Sequence, residues 1–344
     1  MDNRVLQKDI IQFAEQFQLW CELRERSFLI TGATGLIGSI LIKCLVVLNR
    51  EKNLDIKIKA VVRNIEKAKL IFVDEWSEID VAQISLDAIS NVHNVNNIDY
   101  LIHCAAPTAS KFFVERPVET FNAICQGTSS VLEYAKKNKV KSMVYLSSLE
   151  VYGSILDDTN PVTEDVQGYL DPICVRSSYP MAKRASENLC CLYAVEYGLP
   201  VKVARLTQTT GAGIAKDDNR VMAQFTRYAA EGKDIVLHTT GEAARPYCYT
   251  TDAISAILYI LLKGENGQAY NVANEDTYIS ARGIAEFLKD KFNPSIDVRL
   301  ELNDNMGYAP VTKLRLSSEK LRNLGWKPQY GLNDIFKRLM DYLS

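Results

Sequence analysis

Apolar residues follow two rhythms along this chain. Between residues 4 and 24, Val5, Ile10, Ile11, Phe13, Phe17 and Trp20 recur with polar residues between them. That spacing predicts an amphipathic helix ahead of the first strand. From Ser27 onward, short runs rich in β-branched residues alternate with longer helical stretches. "FLIT", "KIKAVV", "YLIHCAA", "MVYLSS" and "VKVARL" are predominantly apolar runs, as strands buried on both faces are. "IGSILIKCLVVLNR" and "GTSSVLEYAKKNK" lie between them and read as helices. The alternation predicts an α/β fold of βαβ units, a parallel sheet with helices on both sides. After about residue 210 the pattern loosens into stretches such as "GAGIAKDDNR" and "HTTGEAARPY". A smaller, less regular lobe is expected there, with "AYNVAN" (Ala269 to Asn274) as a strand that returns to the sheet.

Composition narrows the functional classes. The 344 residues hold 40 basic and 42 acidic side chains, a formal net charge of −2, and no basic block. Nucleic acid and anionic membranes are therefore excluded as expected partners. The longest apolar run, Ala253 to Leu262, is far short of the roughly 20 residues a membrane span needs. The N-terminal stretch "MDNRVLQKDIIQFAEQF" carries charges where a signal peptide is continuously apolar. Eight cysteines are scattered without a CxxC pair. They read as reduced thiols of a cytoplasmic protein, with neither a disulfide framework nor a metal site.

Chemistry enters at "FLITGATGLIGSILIKCLV". Gly32, Gly35 and Gly38 stand between an apolar strand and an amphipathic helix. The first glycine permits a tight turn, the second lets backbone approach a pyrophosphate, and the third allows close helix packing. The helix N-terminus then offers N–H groups and a positive dipole end to the phosphates. The next strand ends in "AVVRN", with Arg63 and Asn64 where a carboxylate would select the free ribose hydroxyl of NAD. Arg63 tilts the reading toward NADP; stacking on adenine or a solvent position is the plain alternative.

Two further stretches complete the set. "LSSLEVYG" puts Ser147, Ser148 and Glu150 at the end of an apolar run, and "SSYPMAKRASE" puts Tyr179 and Lys183 four residues apart at a helix start. At that spacing the two side chains share a helix face. A free tyrosine, with a pKa near 10, is a poor base at neutral pH. A neighbouring ammonium and a cationic nicotinamide favour the phenolate and bring proton transfer within reach. His103 is expected to be a packed residue.

With these parts in this order, the chain resembles the extended short-chain dehydrogenase/reductases, in the NAD-dependent epimerase/dehydratase family that acts on nucleotide-activated sugars. The likeness runs through "TGATGLIG", "HCAAP", "LSSLEVYG", "YPMAK", "VARLTQTTGAG", "RPYCYTTDA", "YNVAN" and "LRNLGWKP". It implies a Rossmann doubly wound parallel sheet over 27–206, with a returning segment near 247–274. An N-terminal helix over 1–26 precedes it, and 207–344 form mainly a substrate-binding lobe. It also implies a dinucleotide held by Gly32, Gly35, Leu36, Ile37, Gly38, Arg63, Asn64, Ala105, Ala106, Tyr179 and Lys183. Ser148, Tyr179, Lys183 and Glu150 become the catalytic candidates. Ser148, Glu150, Arg176, Gln208, Arg220 and Arg245 become the substrate-binding ones. Relatives are commonly homodimers through a four-helix contact.

The same likeness bears on the reaction. Sugar-nucleotide 4,6-dehydratases carry an Asp–Glu pair where this chain has Leu149 and Glu150, and leucine transfers no proton, so dehydration of that type is disfavoured. The central region is most similar to UDP-glucuronate decarboxylases, with departures. Lys313, with Arg315 close by, stands where those enzymes have an arginine that holds the sugar carboxylate. Gln208 and Thr210 replace an Asn and an aromatic, and Ile124 replaces an Asn. With NADP as cofactor, the leading expectation is a reductase or epimerase of a nucleotide-linked sugar. A decarboxylase with tightly held NAD and a non-catalytic dinucleotide-binding scaffold or sensor are the rivals.

Overall fold

The computed structural model describes residues 4–91, 98–303 and 311–344, so the first three residues of the expected N-terminal segment lie outside the described residues. Helix α1 (Arg4–Gln16) precedes β1 (Ser27–Thr31), α2 (Leu36–Lys52), β2 (Lys57–Val62), α3 (Ile65–Ile71), β3 (Ile79–Gln83) and β4 (Tyr100–His103). Then come α4 (Ser110–Glu115), α5 (Pro117–Lys137), β5 (Ser142–Ser148), α6 (Ser178–Tyr197), β6 (Val201–Leu206) and β7 (Gln208–Thr210). They are followed by α7 (Val221–Ala230), β8 (Ile235–Leu237), β9 (Ala244–Tyr249), α8 (Thr250–Lys263) and β10 (Ala269–Val272). The chain closes with β11 (Asn274–Ser280), α9 (Ala281–Lys291), β12 (Val298–Leu300), α10 (Glu319–Arg322) and α11 (Leu332–Leu343).

Seven strands form one sheet in the order β10-β6-β5-β4-β1-β2-β3, every pair parallel. The order reverses beside β1, where β4 leaves on the opposite side from β2, and such a switch point opens a crevice at the strands' carboxyl ends. Both faces are buried, which explains the largely apolar runs. Phe28 and Ile30 pack into the layer formed with α1, α2 and α8, while Leu29 packs into the layer formed with α5 and α6. "AYNVAN" does return a strand, β10, beside β6.

Three expectations are corrected. The N-terminal helix stops at Gln16, not near residue 24, and a 3₁₀ turn over Trp20–Leu23 follows. Glu25, in the left-handed region at φ 58°, lies between that turn and β1. Helix α1 itself is held by buried Ile10 and Phe13, with Phe17 just beyond its end. Each such side chain contributes about 1.5–3 kcal/mol, more support than a 13-residue helix gains from its own ladder. Second, the apolar runs do not mark β3: as a half-exposed edge strand, "IDVAQ" lacks the pattern of the inner strands. Third, "YLIHCAA" is strand only to His103, and Cys104 onward is loop.

The region after β6 is more regular than expected. A three-stranded sheet, β11-β9-β7, and a two-stranded pair, β12-β8, share a separate core with α7, α9 and α11. The tryptophan of "LGWKP" is structural. Trp326 is fully buried and donates from Nε1 to Ser255 Oγ on α8 at 2.9 Å. Among the described residues no helix is long and apolar enough to cross a membrane, and none shows a cluster of metal-ligating side chains.

Candidate active site

The glycine turn opens the crevice. Gly32 leaves β1 at φ +66°, and a Cβ there would lie 2.7 Å from the backbone N and Cα of Ala105. A Cβ on Gly38 would lie 2.4 Å from the carbonyl oxygen of Gly32. Gly35 precedes α2 as an N-cap without a side-chain cap, so among the described residues the first-turn N–H groups at Leu36 and Ile37 stand open at the positive end of a 17-residue helix. A cradle without Cβ atoms, at a helix N-terminus, fits a dinucleotide pyrophosphate. Ala105 and Ala106 are half-buried on the facing loop after β4.

At the end of β2, Arg63 and Asn64 are exposed. Asn64 serves the local backbone, because its Oδ1 accepts the Lys67 N–H at 2.9 Å and caps α3. Among the described residues the Arg63 guanidinium forms no ion pair, while its carbonyl accepts from Gln83 Nε2 at 3.2 Å. His103 is a packing residue, as expected. It is buried between the hydroxyls of Thr31 (2.7 Å) and Thr128 (3.4 Å), and burial pushes its pKa down to about 3.

The carboxyl end of β5 and the start of α6 bring Ser148, Glu150, Arg176, Tyr179 and Lys183 together. Ser148 Oγ accepts the Glu150 N–H at 3.2 Å. Tyr179 is buried in a small apolar cluster with Phe113, Ile124 and Ala182. Its ring stacks on Phe113 at 4.2 Å and 10°. Burial first, and then the Glu150 charge, push the phenol well above its ordinary pKa, against a hydrogen bond with Ser148 and the charge of Arg176. Lys183 Nζ donates to the Leu146 carbonyl at 2.7 Å and lies 5.8 Å from the Tyr179 ring centroid. Burial lowers its pKa to about 8. Tyr179 is thus a neutral phenol, and positive charge beside it would favour its deprotonation.

Several candidates are placed differently from the sequence reading. Glu150 does not stand free: Arg176 takes both of its oxygens, Nη1 at 3.0 Å and Nη2 at 3.3 Å. The Arg176 guanidinium also covers Phe113 at 5.2 Å, so one stack joins Tyr179 to the ion pair. Leu149 points into an apolar cluster with Val151, Val162, Leu314 and Leu316, which seams the strand end to the C-terminal lobe. Ser147 is buried, and its hydroxyl has no hydrogen-bond partner among the described residues. Ile124 fills the space beside Tyr179 with hydrocarbon.

Gln208 and Arg220 come together with Tyr247 around a small cavity in the second lobe. Arg220 is held by Asp218 (Nη2 to Oδ2, 2.6 Å) and by the Thr209 carbonyl (3.2 Å). Arg245 is half-buried on β9 opposite Ile279. Lys313 lies near Asp157 and Asp158. Hydrogen bonds from Thr159 and Tyr278 respectively hold those carboxyls low, and the Lys313 charge adds to both effects. Sequence reasoning missed Phe113, which belongs to no motif, and the buried pair of Glu187 with Arg205.

A parallel doubly wound sheet, a glycine turn at its switch point and a Tyr–Lys pair beside a strand-end serine define a dinucleotide-dependent enzyme of the extended short-chain dehydrogenase type. Residues 28–273 match the NAD dependent epimerase/dehydratase family, and the chain belongs to it. It is 28% identical over 306 residues to UDP-glucuronic acid decarboxylase 6 of Arabidopsis thaliana, covering 89% of this chain and 85% of that one. It is 32% identical over 253 residues to the UDP-N-acetyl-alpha-D-glucosaminuronate decarboxylase of Bacillus cytotoxicus, covering 72% and 75%. Among solved structures, the UDP-glucose 4-epimerase of Thermotoga maritima superposes with a TM-score of 0.77 at 22% identity, over 92% of this chain and 98% of that one. The UDP-glucuronic acid 4-epimerase of Bacillus cereus, with UDP-glucuronic acid and NAD, gives 0.74 at 20% identity over 92% and 98%.

Proposed function

We propose that this protein oxidises a ring hydroxyl of a nucleotide-linked uronic acid and releases its carboxyl group as CO₂. The observation that carries the opening step is the meeting of Ser148, Tyr179 and Lys183 at the crevice beside the glycine turn. Gly32, Gly35, Leu36, Ile37, Gly38, Ala105 and Ala106 would hold the dinucleotide. When bound, its oxidised nicotinamide supplies the hydride acceptor and a positive charge. Tyr179 takes the hydroxyl proton as that charge offsets the burial that keeps the phenol neutral. Ser148 orients the same oxygen, and Lys183 supports the phenolate. A ketone one carbon away from the carboxylate-bearing carbon makes a β-keto acid. The bond to the carboxyl group breaks, CO₂ leaves, and the electron pair moves onto the ketone oxygen that Tyr179 and Ser148 hold. The carbon that lost CO₂ would then take up a proton, and Tyr179 would give back the proton it took to the same oxygen as the ketone is reduced again to an alcohol.

Choice of this finish over the reductase or epimerase finish is supported by the decarboxylase relatives, and Leu149 disfavours elimination of water. Gln208, Arg220 and Arg245 are assigned to the nucleotide-sugar, with Glu150 and Arg176 at the sugar itself. Pairing through α5 and α6, whose exposed faces carry Val118, Leu192 and Val195, would make a homodimer. Eight free cysteines suit a reducing, cytoplasmic setting. UDP-glucuronate with NAD is expected to yield CO₂ and a UDP-pentose, followed by NMR of the product. A six-carbon product with altered configuration, or stoichiometric loss of NADPH, would replace this reading with the epimerase or reductase.

The second reading has one observation in its favour, the exposed Arg63 at the end of β2, which forms no ion pair among the described residues. If it faces a 2′-phosphate, NADPH binds more tightly than NADH, by about 1–2 kcal/mol or 5- to 30-fold. Arg63→Ala should then erase the difference in calorimetric titrations. Equal affinity in the parent protein assigns Arg63 to solvent.

A further inference from the structure

Lys183 is buried, its ammonium donates to the Leu146 carbonyl, and it forms no ion pair among the described residues. A buried ammonium without a counter-charge in contact gives up its proton readily. The groups that face it are Tyr179, Glu187 and Cys190 on α6, Tyr145 on β5, His103 and Cys104 at the end of β4, and Cys125 on α5. Burial pushes the Cys104 thiol up to about 12 and pushes Cys125, Cys190, Tyr145 and Tyr179 upward as well, while it holds His103 neutral. Every one of these is uncharged at neutral pH except Glu187.

Glu187 follows Lys183 by four residues on α6, one turn along the same face. Arg205, on β6, fixes it there. Nε lies 3.1 Å from each carboxylate oxygen and Nη2 lies 2.7 Å from Oε2, with both side chains nearly buried. Arg205 is itself anchored by the Tyr152 hydroxyl (3.0 Å) and the Glu164 carbonyl (2.7 Å). The neighbouring cation Arg184 is spent on the carbonyls of Val151 (2.6 Å) and Gly168 (2.8 Å).

We infer that Glu187, clamped by Arg205, is a positioning residue whose fixed negative charge keeps Lys183 an ammonium beside Tyr179. The inference rests on the proton-transfer role proposed for that pair. Glu187 acts through Lys183 and has no part at the reacting oxygen. The sign follows from burial. Burial already depresses the lysine, and Glu187 opposes that depression. Removing the charge depresses it further, and Lys183 then loses its proton at a lower pH.

The test is a pH titration of the ligand-free protein carrying ¹³Cε-labelled lysine, with the Lys183 signal assigned by its absence in Lys183→Met. The midpoint is expected near 8 in the parent. It should fall by roughly one pH unit or more in Glu187→Gln and stay within about half a unit in Glu187→Asp, which keeps the charge. An unchanged midpoint in Glu187→Gln overturns the inference, and so does an equal fall in Glu187→Asp. If Glu187→Gln fails to fold because Arg205 is left as an unpaired buried cation, the double variant Glu187→Gln/Arg205→Gln is compared with Arg205→Gln alone, and the difference between those two midpoints, which isolates the Glu187 charge, is read by the same limits. No turnover enters this measurement. A shifted midpoint together with normal turnover in Tyr179→Phe would therefore sink the reaction assignment alone, while an unchanged midpoint with a dead Tyr179→Phe would sink this inference alone.

Discussion

Tyr179→Phe is expected to lower turnover by about 10²- to 10⁴-fold and to leave dinucleotide affinity within a factor of about three, under 1 kcal/mol. The substitution removes one oxygen and almost nothing else. The ring keeps its stack on Phe113 and its place among Ile124 and Ala182. The glycine turn that would carry the pyrophosphate lies on other elements, β1 and α2, and does not depend on that oxygen. What disappears is the group proposed to move the proton, together with its hydrogen bond to Ser148. Steady-state rates paired with a fluorescence titration of the dinucleotide separate the two effects. Turnover near the parent level would remove Tyr179 from the chemistry. A parallel loss of dinucleotide binding would instead make it a structural prop of the crevice.

Gly32→Val is expected to weaken dinucleotide binding at least about 100-fold, near 3 kcal/mol, and to destabilise the fold. Two costs add here. A β-branched residue at φ +66° stands in the left-handed region, at about 1–2 kcal/mol. Its Cβ would also lie 2.7 Å from backbone atoms of Ala105, and backbone cannot swing aside as a flexible side chain does. Relief requires β1 and the loop after β4 to separate, at a typical overpacking cost of about 1–3 kcal/mol. Gly232→Ala is the matched control. Gly232 has φ +70°, and a Cβ added there would have nothing within 4 Å, so it bears the conformational cost alone. It should lower the melting temperature slightly and leave dinucleotide binding unchanged. Equal losses of stability in the two variants would show that the left-handed backbone, and not the closeness to Ala105, sets the cost at Gly32.

The elements legible in the chain are those whose physics is local or periodic. Strands β1, β2, β5 and β6 stand out because burial on both faces demands largely apolar runs. The glycine turn stands out because φ, close approach and helix packing each exclude a Cβ at a fixed spacing. The edge strand β3 escapes notice for the converse reason, since half-exposed positions tolerate polar residues. Leu149 illustrates a subtler limit. Its identity alone rules out proton transfer, but only packing reveals that it faces Leu314 and Leu316 instead of the crevice.

Residue type at short, regular spacing is enough to specify the Rossmann layer, the glycine turn and the shared helix face of Tyr179 and Lys183, while the place of Ser148 beside them is implied by the family resemblance. The charges around that grouping are a product of folding. Arg176 reaches back 26 residues to occupy Glu150, and Arg205 on β6 reaches Glu187 on α6 across 18. Phe113 arrives from a short helix to cover Tyr179. Ion pairs, ring stacks and desolvation depend on distances across folded elements, and no period or motif in the chain records them.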